Sequence, residues 1–235
     1  MYKLVKRFLD FIFSLLMLII LLPFMMPVII LLRLTGEGEI FYKQKRIGLR
    51  NEYFNIIKFA TMLKNSPNML TGSITVKNDP RLTPMGKFLR KTKLNELPQI
   101  LNVLKGNMSF VGPRPLVDAT FNAYPQNIRY KIYNSKPGIT GIGSVIFRDE
   151  ESLISNAKMP PHEFYNNFIA PYKGELEIWY NHHKSFYTDF VILFATIWVV
   201  AFPSSNIVYK LFKNLPERPD FKHAQMLKKI PAQSL

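Results

Sequence analysis

The chain contains no cysteine among its 235 residues. This absence excludes disulfide bonds and every metal site built on thiolate ligands. Acidic residues are also scarce, since 16 Asp and Glu stand against 31 Lys and Arg, which gives a formal net charge of +15. An excess of this size predicts an anionic partner, and anionic membrane lipids, a nucleotide substrate and nucleic acid are all candidates.

Histidine and aromatic residues are scarce where the cations concentrate. His162, His182, His183 and His223 all lie outside the basic stretch, and no pattern typical of a Ser-His-Asp triad accompanies them. Proteins that bind single-stranded nucleic acid combine basic residues with aromatic rings that stack on the bases. Few aromatic residues interleave with Lys and Arg here, so we predict no nucleic-acid partner.

Charge is absent from a long N-terminal stretch, residues 11–32. About 20 apolar residues suffice to span a bilayer as a helix. The stretch is too long for a secretory signal and lacks a small-residue cleavage site. Its length fits either an ordinary transmembrane helix or a helix that enters the membrane and returns.

Two features are typical of the returning path. Pro23 and Pro27 lie within the stretch, where proline removes a backbone hydrogen bond and kinks or breaks a helix. Lys and Arg flank the stretch on both sides, whereas the positive-inside rule predicts an asymmetry for a crossing helix. Arg7 and Asp10 are three residues apart and can pair on one helix face at the headgroup level. On these residues alone, both topologies stay open.

The rest of the chain predicts an α+β fold that is predominantly helical with a small β-hairpin. The pattern predicts strands at 39–46 and 53–62, joined by a turn, and further short strands at 109–111 and 142–147. Residues 65–72 form a predicted polar loop. The apolar segment 186–202 carries Asp189 and is short for a span, which is typical of an interfacial helix.

Residues 78–115 hold a dense group of cations. Thr83 and Pro84 predict the start of a helix that carries Lys87, Arg90 and Lys91. Such a cationic stripe is either a solvated helix face or part of a phosphate site.

A second helix is predicted from Asn95, its N-cap, to Gly106. A helix start offers free N–H groups and the positive end of the helix dipole, which favour phosphate. Glu96 lies directly beside this predicted phosphate seat.

Two short segments offer further candidates. Arg114 lies between two prolines, which would hold its backbone stiffly so that its guanidinium can bind phosphate oxygens. A rigid turn with a surface arginine is the alternative. Asp149, Glu150 and Glu151 form the densest acidic cluster, which is either a solvated loop or a source of catalytic carboxylates.

Several ordered motifs together resemble the bacterial sugar transferase family, the monotopic phosphoglycosyl transferases. The resemblance covers about residues 6–202, and its motifs are specific as an ordered set. In chain order they are Lys6-Arg7-x-x-Asp10, Phe41-x-x-Gln44-x-Arg46-Ile47-Gly48, Lys58-Phe59-x-Thr61-Met62, Asn78-Asp79-Pro80-Arg81-Leu82-Thr83, Gly86-Lys87-Phe88-Leu89-Arg90, Glu96-Leu97-Pro98-Gln99, Gly112-Pro113-Arg114-Pro115 and Pro137-Gly138-Ile139-Thr140-Gly141.

The resemblance implies an enzyme that transfers a sugar-1-phosphate from a UDP-sugar to polyprenyl phosphate, commonly undecaprenyl phosphate, and releases UMP with Mg²⁺ as cofactor. Such enzymes begin the assembly of surface polysaccharides or glycoconjugates at the cytoplasmic face of the bacterial inner membrane. Their membrane helix is re-entrant and broken at a proline, which favours a break at Pro23. With no further membrane segment before Lys6, the chain resembles the small single-domain branch.

We therefore expect three parts. Residues 1–36 form a proline-broken re-entrant membrane helix, and residues 37–203 form a catalytic domain on the cytoplasmic face with the interfacial helix 186–202. Residues 204–235 form a C-terminal helix and a polar tail, which begins after Leu215.

The expected site residues follow from the same motifs. Glu96, Asn95 and Asp149 are the expected catalytic residues, and Glu96 is also the expected Mg²⁺ ligand. The expected phosphate-binding residues are Lys58, Arg81, Lys87, Arg90, Arg114, Thr140 and Gly141.

Two positions depart from the family pattern. The family's catalytic pair is Asp-Glu, with the Asp as nucleophile on the β-phosphate, whereas this chain has Asn95 before Glu96. Ala60 stands where the family carries arginine. A neutral amide is a poor nucleophile at phosphorus.

Three hypotheses follow from Asn95. In the first, another carboxylate substitutes, either Glu96 or a member of the 149–151 cluster. In the second, the polyprenyl phosphate attacks directly, with Mg²⁺ and arginines stabilising the transferring group. In the third, the chain is inactive and serves as a silent membrane-bound partner that binds nucleotide or lipid phosphate for other glycan-assembly enzymes.

Overall fold

The computed structural model describes residues 1–35, 37–66, 79–203 and 205–227. It is a predominantly helical α+β fold, as predicted. The α-helices are α1 (Tyr2–Leu34), α2 (Pro84–Lys91), α3 (Ile100–Lys105), α4 (Asp118–Phe121), α5 (Gln126–Ile132), α6 (Ile142–Ile146), α7 (Glu150–Ser155), α8 (Pro161–Phe164), α9 (Ala170–His183), α10 (Phe186–Ala201), α11 (Ile207–Leu211) and α12 (Phe221–Met226). The strands are β1 (Phe41–Ile47), β2 (Tyr53–Phe59), β3 (Ser109–Val111) and β4 (Gly138–Thr140).

Shorter helical turns complete the described residues: 3-10 turns at Leu49–Asn51 and Leu94–Gln99, and a π-helical turn at Tyr165–Ile169 that leads into α9. Asn78 of the fourth motif, most of the predicted polar loop 65–72 and residues 228–235 of the predicted tail lie outside the described residues.

Helix α1 is the membrane-contacting element. Its most apolar 18-residue window has a mean hydropathy of 3.0, and only 11% of that window is buried. Within the described residues it is the one helix long and apolar enough to cross a bilayer. An exposed apolar surface of this size associates the protein with a membrane.

The predicted break at Pro23 is not a break in secondary structure. α1 is one helix of 33 residues with Pro23 and Pro27 inside it. A proline removes one hydrogen bond and displaces one carbonyl, and a long helix can continue through that local loss.

Polar side chains near the start of α1 attach it to the domain. Arg7 donates to the carbonyl oxygens of Val103 and Leu104, at 2.7 and 2.8 Å, in the last turn of α3. Asp10 accepts from the backbone N–H of Phe110 at 3.2 Å. Arg7 and Asp10 therefore contact the domain, and the predicted ion pair between them is wrong. The cation satisfies carbonyls that the end of a helix leaves free.

The end of α1 packs on the same domain. Met25 and Leu32 are buried in one apolar cluster with Phe59 of β2 and Leu89 of α2. Both ends of the long apolar helix thus contact a single folded unit.

The predicted hairpin is confirmed with shifted strand ends. β1 and β2 are antiparallel, and Tyr42 pairs with Lys58 while Gln44 pairs with Ile56. Side chains alternate between the faces of a strand, so Arg46, two residues beyond Gln44, lies on the same face as Lys58.

The predicted strand at 142–147 is wrong, because Ile142–Ile146 is helix α6. The strand lies just before it, as β4, which pairs in parallel with β3. The two backbones approach so closely that a Cβ added at Gly138 would lie 2.1 Å from the nitrogen of Gly112. Only glycine fits such an approach, and the apolar residues after β4 bury a helix face instead of a strand.

The main core is formed mostly by helices α5 to α12, together with Ile47 of β1 and Val111 of β3. The chain after Leu215 contributes to it, since Phe221 and Ala224 of α12 are buried and Asp220 caps that helix. The described part of the predicted polar tail is therefore a packed segment. A short amphipathic turn among polar residues gave too weak a periodic signal to predict it.

Candidate active site

Glu96 lies at the centre of a cluster of cations. Its Oε1 accepts from Lys58 Nζ and from Arg114 Nη2, each at 2.9 Å. Lys58 comes from the hairpin, Glu96 from the 3-10 turn before α3, and Arg114 from the loop after β3. Three segments distant in sequence therefore converge, as expected for the predicted catalytic and phosphate-binding residues Glu96, Lys58 and Arg114.

The backbone of Arg114 is fixed by its neighbours. Its carbonyl accepts from the hydroxyl of buried Tyr133 at 2.8 Å, and that hydroxyl also accepts from the N–H of Leu116 at 2.9 Å. Gly138 donates its N–H to the carbonyl of Pro113 at 2.9 Å. Hydrogen bonds to its backbone therefore fix the Gly-Pro-Arg-Pro loop on both sides. The side chain of Arg114 is not needed to hold the loop and can interact with Glu96.

Electrostatics in the cluster are strongly coupled. Burial alone would raise the pKa of Glu96, but Arg114 and Lys58 hold it well below its usual range. Glu96 in turn raises the pKa of Arg114. Burial, helped by the nearby Arg114 and Arg46, lowers the pKa of Lys58 to about 8 although Glu96 opposes this. The site thus holds an ionised carboxylate against more positive charge than it can neutralise.

Arg46 is a further cation of this site that the sequence did not assign. Its Nη1 donates to the carbonyl of Pro115 at 3.1 Å, and its Nε donates to Gln44 at 3.1 Å. Burial and the nearby Arg114 lower its pKa to about 10. Its place in the Gln44-x-Arg46 motif was a usable signal, but no spacing rule connected it with Glu96.

Asn95 does not cap a helix, contrary to the prediction. The N-cap position belongs to Lys93, whose φ is 62°, and the N–H of Glu96 bonds to the Lys93 carbonyl at 3.1 Å. Asn95 is buried, and its Oδ1 has no donor among the described residues. The segment closes as a 3-10 turn with i→i+3 bonds, and α3 begins only at Ile100. The helical segment therefore begins one residue before Asn95 as a 3-10 turn that runs directly into α3, and it ends at Gly106 as predicted.

The other predicted phosphate-binding cations lie outside the cluster. Arg90 donates to Glu151 of α7 at 2.9 Å, and Lys87 is exposed on α2. Arg81 is 1% exposed, and two of its nitrogens donate to the carboxylate of Asp79 at 2.9 and 2.6 Å. Arg81 also donates to the carbonyl of Ser66, so its described contacts are those of a buried structural pair.

Thr140 and Gly141 contact residues other than Glu96. The hydroxyl of Thr140 is 2.8 Å from the hydroxyl of Thr196 in α10. A Cβ added at Gly141 would lie 2.2 Å from the carbonyl oxygen of Gly112. These contacts support the loop that carries Arg114, and they do not direct either residue towards Glu96.

The acidic cluster borders the site without reaching Glu96. Glu150 pairs with Lys173, Glu151 pairs with Arg90, and Asp149 is exposed at the start of α7. Glu150 is near enough to raise the pKa of Arg114, though less than Glu96 does. Of the four carboxylates considered, only Glu96 contacts Lys58 and Arg114.

Glu177 of α9 is a buried carboxyl that sequence reasoning missed. It is 2% exposed and lies beside the backbone N–H of Arg114, and its Oε1 would be 2.5 Å from a Cβ at Gly143. Burial raises its pKa to about 8, although Lys173 and Arg114 oppose this. A single glutamate in a helical segment gives no sequence signal of burial.

A metal ion could reach one free oxygen in this cluster. Glu96 uses Oε1 for both cations, and its Oε2 makes no hydrogen bond to the described residues. Within those residues no group of three His, Cys, Asp or Glu side chains could hold a metal. Mg²⁺ is commonly held by one or two carboxylates together with substrate phosphates and water, so the donor set fits that mode.

Comparison with known proteins places the chain. Residues 1–203 match the family described as Bacterial sugar transferase. An uncharacterised sugar transferase of Haemophilus influenzae is 34% identical over 212 residues, 84% of this chain and 41% of the relative. The UDP-glucose:undecaprenyl-phosphate glucose-1-phosphate transferase of Escherichia coli is 34% identical over 202 residues, 83% of this chain and 40% of the relative.

A third relative is closer in length. The exopolysaccharide production protein ExoY of Sinorhizobium fredii is 32% identical over 206 residues, 82% of this chain and 83% of the relative. The chain thus spans about two fifths of the length of the first two relatives and most of the third. The match over residues 1–203 and the ordered motifs that form the Glu96 cluster agree: the chain belongs to the bacterial sugar transferase family.

Proposed function

We propose that this protein transfers a sugar-1-phosphate from a UDP-sugar to polyprenyl phosphate, with release of UMP, as the first step in building a surface polysaccharide or glycoconjugate. The observation that carries the proposal is the convergence of Lys58 and Arg114 on Glu96. The name of the Escherichia coli relative supports this donor and acceptor.

The cluster suits a reaction between two anions. A sugar nucleotide and a prenyl phosphate repel each other, and the partly buried cations Lys58 and Arg114 would offset that repulsion and the charge that develops on transfer. Lys58 and Arg114 can shift their hydrogen bonds from Glu96 to phosphate oxygens. The prenyl phosphate oxygen forms a bond to the β-phosphorus, the bond to the bridging oxygen breaks, and UMP leaves with that oxygen and its electron pair.

Glu96 would hold Mg²⁺ through its free Oε2. When bound, the ion neutralises phosphate charge and orients the leaving group. Because Arg114 and Lys58 keep the pKa of Glu96 low, the carboxylate is ionised across the physiological pH range and is ready as a ligand.

Direct transfer is our preferred mechanism because position 95 offers only an amide. In the 149–151 cluster, Glu150 pairs with Lys173 and Glu151 pairs with Arg90, so neither is positioned by Lys58 or Arg114 as Glu96 is. The test is UMP release from a panel of UDP-sugars with undecaprenyl phosphate and Mg²⁺, using protein in lipid nanodiscs. Intact mass measured with UDP-sugar alone should show no added sugar phosphate, and an adduct would refute direct transfer.

A silent binding role is a second candidate, favoured by the buried amide of Asn95. Asn95→Asp separates the two. If the natural protein is active, the substitution changes its rate but does not create turnover. UMP release that appears only in Asn95→Asp would support the binding role.

The attachment of both ends of α1 to one domain supports a monotopic, re-entrant path at the cytoplasmic face of the inner membrane. A crossing helix would place Arg7 and Leu32 on opposite sides of about 30 Å of hydrocarbon. Arg7 bonds to α3, and Leu32 packs in one cluster with β2 and α2. Because the chain has no cysteine, single cysteines at Lys3 and Glu37 give a clean test. A membrane-impermeant maleimide should label both from the cytoplasmic side, and labelling from opposite sides would exclude re-entry.

A further inference from the structure

A cleft beside Glu96 is lined by residues from the hairpin, the 3-10 turn and the Arg114 loop. The lining residues are Arg46, Ile56, Lys58, Gln99, Arg114 and Pro115. Arg46, Ile56 and Lys58 share one face of the hairpin because of strand alternation. The cleft therefore continues the Lys58–Arg114 site towards a wall that the proposed function has not used.

Arg46 in this wall has no carboxylate partner among the described residues. Its bonds go to the neutral oxygens of Gln44 and Pro115. Arg46, Lys58 and Arg114 therefore share one carboxylate, that of Glu96. An excess of positive charge in a partly buried cleft is unfavourable, and an entering anion relieves it.

The side-chain amide of Gln99 adds a hydrogen-bond donor to the cleft. Its side chain is 2% exposed, and its Nε2 has no acceptor among the described residues. Buried amide donors are normally paired, so an unpaired one in a ligand cleft indicates a missing acceptor. A glutamate here would have neutralised Arg46 or Lys58; the amide instead leaves the cations available.

We infer that Arg46 and Gln99 form a phosphate subsite next to Glu96, in which the guanidinium of Arg46 and the Nε2 of Gln99 donate to oxygens of one phosphoryl group. The inference builds on the proposed function, because that function brings phosphoryl groups to this cleft. The phosphoryl group can come from the diphosphate of the sugar nucleotide or from the prenyl phosphate. Both sources have the same recognition chemistry.

The experiment measures binding without turnover, by calorimetry on protein in nanodiscs. One arm titrates UDP, and the other titrates farnesyl monophosphate as a short prenyl phosphate. The variants are Arg46→Gln, Gln99→Met and Gln99→Glu. Lys43→Gln is the matched control, since it removes the same charge from the opposite face of β1.

We expect Kd to rise about tenfold for Arg46→Gln and Gln99→Met, and about a hundredfold for Gln99→Glu, in at least one arm. Lys43→Gln should stay within about twofold in both arms. Losses confined to the UDP arm assign the subsite to the nucleotide, and losses confined to the farnesyl arm assign it to the lipid. Unchanged Kd values in both arms for folded variants overturn the inference.

Two controls keep the result clear. If Gln99→Met fails to fold, the side-chain amide resonance of Gln99 in ¹⁵N-glutamine-labelled natural protein should shift on addition of UDP or farnesyl monophosphate, and no shift with either overturns the inference. UMP release is measured separately on the natural protein. Its absence alongside the predicted binding losses would refute the transferase and leave the subsite in place.

Discussion

Two arginines of this protein occupy opposite kinds of environment. Arg81 is fully buried against Asp79, with two hydrogen bonds to one carboxylate. Arg114 shares the carboxylate of Glu96 with Lys58, and Arg46 lies near enough to lower the pKa of Lys58. Both arginines belong to motifs that predicted phosphate binding, yet their described contacts differ in the ratio of cation to anion.

The ratio of cations to carboxylates distinguishes an arginine that stabilises the fold from one that is available to bind an anion. In their described contacts Arg81 and Asp79 match one buried cation with one carboxylate, and a ligand phosphate could displace Asp79 only at a large cost in desolvation. A cluster with three cations on one carboxylate gains from an added anion. Under the proposed function, charge excess, and not the mere presence of arginine, therefore marks the part of the chain that would bind phosphate.

The largest expected effect tests the structural side of this comparison. Asp79→Ala leaves the Arg81 guanidinium buried without its carboxylate, which should lower the free energy of unfolding by about 3–5 kcal/mol. Chemical denaturation in detergent measures it. The double variant Asp79→Leu/Arg81→Met removes both charges and should recover most of the loss. A loss below about 1 kcal/mol for Asp79→Ala would mean that the Arg81–Asp79 pair does not stabilise the fold.

Arg114→Ala tests the binding side. Under the proposed mechanism it removes a donor to the transferring phosphoryl group, so UMP release should fall by about 10²–10³-fold, as for the loss of one strong oxyanion donor. The melting temperature should change little, because the backbone carbonyl of Arg114 keeps its bond to Tyr133. Arg50→Gln, on an exposed hairpin turn, is the control. If Arg114→Ala lowers stability but leaves the rate intact, Arg114 is part of a rigid turn only.

The sequence predicted those features that local patterns encode. Alternating residues around a turn predicted the β1–β2 hairpin. The proline-flanked Arg114 was correctly expected beside Glu96, while its binding of phosphate stays a prediction. Ordered motifs brought Lys58, Glu96 and Arg114 to one site. The length and charge pattern of residues 11–32 gave the membrane-contacting helix, though not its continuity through Pro23.

Features that depend on packing were not predictable. Whether Arg81 pairs with Asp79 or faces a ligand depends on its burial, which its motif does not reveal. Asn95 has the right chemistry for an N-cap, but the chain closes a 3-10 turn there. An apolar pattern at residues 142–147 suits a buried strand as well as a buried helix. The structure places strand β4 earlier, where Gly138 closely approaches Gly112.

The buried carboxyl of Glu177 should make the free energy of unfolding depend on pH, with a smaller effect than the two substitutions above. Its folded pKa of about 8 is raised above the unfolded value, so its contribution to stability is fully present below the unfolded pKa and is lost as the pH rises through 8. Between pH 7 and 9 this should remove about 1.4 kcal/mol of unfolding free energy. Glu177→Gln should lack that part of the decline.

The difference between the natural protein and the Glu177→Gln variant isolates this carboxyl. Lys58 has a folded pKa of about 8, below its unfolded value, so its contribution rises with pH over this range in both proteins. Denaturation of both proteins at pH 7, 8 and 9 therefore compares the carboxyl with the amide in otherwise equal backgrounds. Parallel stability curves would mean that water reaches the carboxyl and that Glu177 is not a buried acid.

The smallest expected effect concerns the acidic cluster. Glu151 is half exposed and pairs with Arg90 across the surface, so Glu151→Gln should change the free energy of unfolding by less than about 1 kcal/mol. Asp149→Asn should change the free energy of unfolding by even less. The rate of UMP release should stay within about threefold for both variants, because neither carboxylate contacts Lys58 or Arg114. A rate loss of about 10³-fold in either variant, with stability unchanged, would identify a replacement nucleophile and move the chemistry from Glu96 to α7. An unchanged rate would exclude both carboxylates as nucleophiles. It would leave attack by Glu96 itself or by the lipid phosphate as the proposed routes to the β-phosphorus, and the intact-mass measurement with UDP-sugar alone separates these two.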